Sequence, residues 1–486
     1  MSTDSVAVAP DRVAAAPEHL TPAARRSILG GLITLFLDSY DIYLPALVLP
    51  AALGYFEPTN MSDTTRATLD TLVFTVTLLG RPIGGPIFGN LSDRIGRKRV
   101  ALITGAGFTV MVTLMGCLPG YGSWGYGSIV ALIVLRLLGG IFLGGGYAGP
   151  VPLAIERAPR RWRGFVGGLV VTGAGLALVM ISLIQLLALN HMAPHSFQVW
   201  GWRIPFFVGT IMGILYLTYF HRLVPELDDE EFARPRREKR MPLAQLLTGE
   251  EDRSRLVQSA VLMTGMWFAS QMTVSFLPVL LITVLHQSPT NVSWFEIVSS
   301  LTTACGMIAY GALSQKVGRR PVLRWMAVSV VTIGSAAWVL MIHFAEAGAA
   351  FGLIALMAGI ANFVTNAPLG VFVVYLNERF GTNVRAAGYS TAYTFGLILP
   401  GLYTVWVKGL AHVVPYAYTA LFLIPLGGVL VFLAASRGPE TLNAPLLGRQ
   451  GRDRSLDEPG AEPARGMAGV GRVRTGRAAG VGVRSG

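Results

Sequence analysis

The chain has 486 residues, 52% of them hydrophobic and 14% charged, with a formal net charge of +12 and a mean hydropathy of +0.54. That balance leaves too little polar surface for a soluble globule, so the chain needs lipid as its solvent. The positive charge does not point to nucleic acid, because the arginines sit in short loops between apolar runs and no basic helix is interleaved with aromatics.

Residues 1–26 are rich in Ala, Pro and charge without an apolar core; they are expected to form a disordered cytoplasmic tail and no cleavable signal peptide. Twelve apolar stretches of membrane-spanning length follow, near 28–52, 69–89, 100–118, 127–154, 164–189, 202–221, 256–285, 293–314, 322–343, 350–376, 388–407 and 416–436. Inside a bilayer only helices or closed barrels satisfy the backbone, and runs this long exclude barrel strands. The predicted fold is therefore an all-α membrane protein. Lys and Arg collect in alternate loops, as Arg94, Arg97, Lys98 and Arg99, then Arg157, Arg160, Arg161 and Arg163, then Lys316, Arg319 and Arg320, then Arg379 and Arg385. The opposite loops hold chiefly Arg66 and Lys408. Positive loops are retained in the cytoplasm, which predicts a multi-pass protein of the inner or plasma membrane with both termini cytoplasmic and the anionic leaflet as its partner. Residues 223–255, where Asp228, Asp229, Glu230 and Glu231 precede Arg234, Arg236, Arg237, Lys239 and Arg240, read as a solvated cytoplasmic linker. Residues 438–486 lack periodicity and read as a disordered cytoplasmic tail.

The loop Gly89-Asn-Leu-Ser-Asp-Arg-Ile-Gly-Arg-Lys-Arg99 is echoed by Gly311-Ala-Leu-Ser-Gln-Lys-Val-Gly-Arg-Arg320, an offset of 222 residues. Glu156-Arg157 followed by Arg163 is matched by Glu378-Arg379 followed by Arg385 at the same offset of 222. Two loops sharing one offset indicate a duplication. Six spans are then repeated in the same orientation, as bundles 27–222 and 256–437 related by an axis along the membrane normal, with substrate between them.

With these loops the chain, over about residues 27–441, resembles the major facilitator superfamily. Gly89 to Lys98 fits that superfamily's signature at every defining position, whereas the second copy places Gln315 where the first has Asp93. Arg136-Leu-Leu-Gly-Gly140, Gly201-Trp-Arg-Ile-Pro-Phe206, Pro225-Glu226 and Pro439-Glu-Thr441 are similar to the metabolite–proton symporter and sugar porter branches. The fifth span lacks the Gly-Pro element of multidrug antiporters. The resemblance implies a fold of twelve helices in two pseudo-symmetric bundles. It also implies a chain that acts as a monomer on a small organic acid, zwitterion or sugar together with protons.

Asp38 and Asp41 lie inside the first span at i, i+3 spacing, hence on one face. A carboxylate there is costly unless it meets a polar cavity or a partner. Desolvation favours its protonated form and a nearby arginine its ionised form, so alternation between the two would load and release a proton. Asp41 aligns with the first-span acid of the resembling symporters and is the expected coupling residue, with Asp38 its accessory. Pairing with an arginine purely to hold the bundle is the competing reading. Arg136 in the fourth span needs an anion, either Asp41 or a substrate carboxylate, while Arg81 either faces the cavity or snorkels to the interface. Gln271, Asn362, Asn366, Asn377 and Tyr393 are candidate cavity residues, with interhelical hydrogen bonding as the alternative.

Asp93, Arg94, Arg97 and Glu156 form the expected gate: Asp93 capping a neighbouring helix and Arg97 bridging to Glu156 when the cytoplasmic face is shut. Arg319 and Glu378 would repeat this, weakened by Gln315. Gly139, Gly140, Gly144, Gly145, Gly146 and Gly149 lack the strand a phosphate loop needs and are read as close-packing positions. Cys117 and Cys305 are expected to be inert packing residues, Trp202 and Trp294 to lie at the outer interface, and Glu296 and His343 to sit solvated near the outer ends of their spans. No cofactor, metal cluster or catalytic pair is expected. The function that follows is proton-coupled import of a small polar metabolite, foremost an organic acid. The rivals are proton-independent uniport or exchange of a sugar or zwitterion, and a non-transporting nutrient sensor.

Overall fold

The computed structural model describes residues 19–48, 55–58, 63–193, 196–224, 242–444 and 446. The expected N-terminal tail up to residue 18, the acidic and basic runs of the linker within 225–241, and the C-terminal tail from 447 lie outside the described residues. Described residues at the edges of these segments are ordered into structure. The first helix already begins at Pro22, a short helix occupies Pro242–Thr248, and Glu440 anchors residues after the last helix by accepting the backbone N–H groups of Arg319 (2.9 Å) and Arg320 (3.0 Å).

The helices in chain order are α1 (Pro22–Val48), α2 (Asp63–Ile95), α3 (Arg97–Gly116), α4 (Gly127–Glu156), α5 (Arg163–His191), α6 (Arg203–Leu223), α7 (Glu250–Thr283), α8 (Pro289–Val317), α9 (Arg319–Glu346), α10 (Phe351–Arg379), α11 (Arg385–Phe395) and α12 (Ala420–Arg437). Two short helices, Ile398–Gly401 and Tyr403–Leu410, continue the path of α11. Among the described residues ten helices are long and apolar enough to cross a membrane; α2 and the α11 segment are the two other predicted spans. The α2 helix runs unbroken from Asp63 to Ile95 with Pro82 and Pro86 inside it, whereas the α11 segment breaks around Gly396 and Leu402. No strand occurs among the described residues.

Helix ends follow local sequence rules. Ser288 caps α8 by accepting the Asn291 N–H, with Pro289 at the first helical position. Gly96 separates α2 from α3 at φ 108°, and Gly318 separates α8 from α9 at φ 110°, a region that side-chain-bearing residues rarely enter. These glycines are 222 residues apart, so the repeat seen in the sequence is also a repeat of backbone conformation. The face that carries these two turns is called the basic face below.

Apolar side chains cover the outside of the bundle, as expected where lipid is the solvent; Leu187, Leu215 and Val298 are among the exposed ones. Cys117 and Cys305 are exposed there too, which corrects the expectation that they are packing residues. Trp294 is exposed, but Trp202 is fully buried against Tyr55, Phe56 and Phe206, because the segment between α1 and α2 packs over the α6 entrance. His343 is exposed as expected, whereas Glu296 is buried, because its place on α8 turns inward.

The glycine run of α4 allows backbone contact with α2. A Cβ on Gly140 would strike the Thr77 carbonyl, and one on Gly144 the Arg81 carbonyl. Gly140→Leu is expected to lower stability by about 1–3 kcal/mol through overpacking, read as a reduced unfolding temperature in detergent. Gly352→Ala, with no atom within 4 Å of the new Cβ, should leave that temperature unchanged.

Candidate functional site

A cavity lies between the first six helices and the last six. From the first half it is walled by Asp38, Tyr43 and Tyr147; from the second by Trp267, Asn362, Asn366 and Tyr393, with Ser300 and Thr303 of α8. Asp38 stands about 24 Å along α1 from its basic-face end, at 1.5 Å per residue over the 16 residues from Pro22, which places it well inside the membrane.

The two aspartates of α1 take different partners. Asp38 accepts two hydrogen bonds from Arg81 of α2, at 2.8 Å from Nη2 and 3.4 Å from Nη1. It also accepts the Tyr147 hydroxyl, which in turn receives Arg81 Nη1 at 3.1 Å. Asp41 is held by Arg136 of α4, whose Nη1 lies 3.2 Å from Oδ2 and 3.3 Å from the Asp41 carbonyl. All four side chains are almost completely buried. With both acids ionised the four charges cancel, and a buried charge left alone would be strongly destabilising. Arg81 therefore does not snorkel to the interface; the carboxylate one helix away supplies a better partner than distant headgroups. Asp38, Tyr147 and Tyr393 reach the cavity wall, while Asp41, Arg81 and Arg136 lie behind it. This reverses the sequence ranking of the two aspartates as far as access is concerned.

In the second half the wall is polar but uncharged. Asn366 Oδ1 accepts the Ser270 hydroxyl at 2.6 Å, and its Nδ2 donates to Asn362 Oδ1 at 2.7 Å and Thr273 Oγ1 at 2.9 Å. Asn362 Nδ2 donates to Ser299 at 2.8 Å, so one network ties α7, α8 and α10 together. Gln271 and Asn377 are not on the wall. Gln271 accepts the Ser275 hydroxyl on its own helix, and Asn377 donates to the Val373 carbonyl. Trp267 meets Tyr393 edge-on at 5.5 Å, and Tyr393 lies over Tyr147 with ring centroids 4.1 Å apart, an aromatic contact across the two halves. Tyr147 and Trp267 were not among the residues singled out from sequence. Aromatics in apolar spans carry no signal of which way they face.

At the basic face the two halves are joined by hydrogen bonds to charged groups. Asp93 accepts the N–H groups of Ala386 (3.2 Å) and Ala387 (2.8 Å), capping the first turn of α11 from the other half. Arg97 lies 2.6 Å from Asp93 and 3.3 Å from Glu156, and Glu156 accepts Arg385 across the seam at 2.9 Å. The repeat is mirrored. Arg319 contacts Glu378 at 3.2 Å and Gln315 at 2.8 Å, and Gln315 Oε1 accepts the Gly164 N–H of α5 at 3.0 Å. An amide oxygen thus supplies the cap that the sequence reading took to be weakened by the missing carboxylate. Arg94 is exposed and makes no ion pair among the described residues.

A family model described as Major Facilitator Superfamily matches residues 31–404. The inner membrane metabolite transport protein YhjE of Escherichia coli (strain K12) is 27% identical over 452 residues, covering 90% of this chain and 98% of that protein. The proline/betaine transporter of the same strain is 25% identical over 387 residues, covering 77% and 75%. The solved structure of the proton:xylose symporter XylE of E. coli, bound to 6-bromo-6-deoxy-D-glucose, matches with a TM-score of 0.70 at 17% identity, covering 87% of this chain and 97% of that one, a likeness of fold. With its helices in two repeated halves around a central cavity and a family match running from α1 into the α11 segment, the chain belongs to the Major Facilitator Superfamily and is a multi-pass membrane transporter, not an enzyme.

Proposed function

We propose that this transporter imports a small organic acid by proton symport, with Asp38 taking the proton from the cavity and Arg81 receiving the substrate carboxylate. The observation that carries the proposal is the Asp38–Arg81 pair, buried as a unit with only its acid on the cavity wall. While Asp38 is ionised, the pair is neutral and offers an anion no net attraction. Protonation of Asp38 leaves the guanidinium uncompensated, and a carboxylate that enters restores neutrality through bidentate hydrogen bonds. Proton and anion then bind together or not at all. Asp41, with Arg136, is the accessory pair, and Asn362, Asn366 and Tyr393 bind the substrate's polar remainder. The relatives' named substrates divide: proline and betaine carry a carboxylate and xylose does not. A fully buried guanidinium beside the cavity favours the former.

In this reading residues 27–222 and 256–437 are the moving bodies, joined by the linker 223–255, and the protein acts as a monomer in the cell membrane with its basic face and both termini cytoplasmic. Asp93, Arg94, Arg97, Glu156, Arg319 and Glu378 form the gate on that face. The bonds that Asp93 and Glu156 make across the seam exist only while it is shut, with Arg97 holding both acids in place, and so bias the conformational equilibrium.

Three measurements test the proposal. In proteoliposomes offered labelled carboxylates, proline, betaine and xylose in turn, a carboxylate is expected to accumulate when a pH gradient is imposed at zero membrane potential. Asp38→Asn should abolish that accumulation and keep exchange, whereas gradient-independent flux in the unaltered protein would establish uniport or exchange instead. Arg81→Gln should lower unfolding stability by about 3–5 kcal/mol by stranding a buried carboxylate, and Arg81→Gln with Asp38→Asn should recover most of it in the same thermal assay. With spin labels at the exposed positions Arg99 and Lys316, Glu156→Gln should widen the inter-label distance by shifting the open-to-shut ratio about tenfold, since hydrogen bonds to charged groups are each worth about 1.5–3 kcal/mol.

A further inference from the structure

Glu296 is a buried, membrane-embedded acid that the proposed cycle leaves unused. It lies on α8, seven residues or about 10 Å from the end remote from the basic face. Ser300, Thr303 and Met307, at spacings of four, seven and eleven residues from it, line the cavity, so Glu296 continues the same helical stripe by one turn. The side chain is only 6% exposed. Unlike Asp38, Asp41, Asp93 and Glu156, it makes no hydrogen bond or ion pair with any described residue. The titratable group within its electrostatic reach is Tyr43 of α1, which also walls the cavity.

The neighbouring elements offer no counter-charge. Between Arg163 and the exposed His191, α5 holds no ionisable residue; α10 holds none from Phe351 to Val374, nor does the Leu277–Thr283 end of α7. An ionised carboxylate in such surroundings is heavily penalised, whereas a protonated one is not. The position between the cavity and the mouth remote from the basic face, on the half opposite Asp38, suits a group that takes up a proton when that mouth admits water and gives it up when the stripe is rewetted from the other side.

We propose that Glu296 is a second proton-carrying site of this transporter, independent of the Asp38–Arg81 pair. It rests on the symport reading above and adds a second coupled proton to it. The carboxyl O–H is the bond that breaks on release, the proton passes to cavity water, and the carboxylate retains the electron pair.

The first test needs no substrate and no variant. Dicyclohexylcarbodiimide adds to a protonated carboxyl in apolar surroundings, and its adducts on the purified full-length protein are located by peptide mass spectrometry, with Glu296→Gln as the blank. Labelling of Glu296 at neutral pH that falls at least tenfold in alkaline buffer is expected. Absence of labelling, or labelling indifferent to pH, overturns the proposal. The second test uses as probe whichever panel compound the unaltered protein accumulates. Each coupled proton multiplies the limiting accumulation by about ten per unit of pH gradient, so Glu296→Gln should lower that limit about tenfold under a one-unit gradient. Undiminished accumulation by Glu296→Gln overturns the proposal while the Asp38 mechanism stands. An unaltered protein that ignores the gradient refutes the symport reading instead, and the carbodiimide result still decides whether Glu296 holds a proton.

Discussion

Lipid cannot solvate a charge, so a charged side chain inside this bundle must be neutralised by another group of the same protein or by a cavity that admits water. Arg81 and Arg136 are each buried against one aspartate of α1, and the placement of α1, α2 and α4 around one another serves those two contacts. The close approach of α2 and α4 through their facing glycines brings the Arg81 stem and Tyr147 to the same carboxylate. Packing and charge neutralisation therefore reinforce one another: a wider α2–α4 crossing would strand a guanidinium in an apolar core.

The duplication is kept where the halves meet and lost where the chemistry lies. Asp93 caps Ala386 and Ala387, and Gln315 caps Gly164, which are equivalent contacts under the 222-residue offset. The buried charges beside the cavity have no such counterparts. The positions equivalent to Asp38, Asp41, Arg81 and Arg136 are Ala260, Met263, Thr303 and Ala358. Symmetric seams close the basic-face end of the cavity by the same kind of contact from each half, and an asymmetric interior gives ionisable groups to one half and neutral hydrogen-bonding groups to the other.

The α11 helix links these two regions. Its first turn is held by Asp93, Ser390 donates to the Gly85 carbonyl at 2.7 Å, and Tyr393 lies on Tyr147, which donates to Asp38. A change in the protonation of Asp38 is thus two contacts away from the helix whose N-terminus seals the basic face.

The sequence by itself determined the membrane environment, the helical fold, the span positions and the duplication, because each depends on composition, run length or repeated local sequence. It also singled out the buried ionisable residues, since charges in apolar runs are conspicuous wherever they point. Only the tertiary structure decided which aspartate meets which arginine, that Asp38 rather than Asp41 reaches the cavity, and that Gln315 still caps a helix. It also decided that Tyr147 and Trp267 form cavity walls and that Glu296 is buried without a partner among the described residues. Each of these turns on the rotation of one helix against another, and apolar residues on every side of a lipid-embedded helix erase the periodicity that would reveal it from sequence.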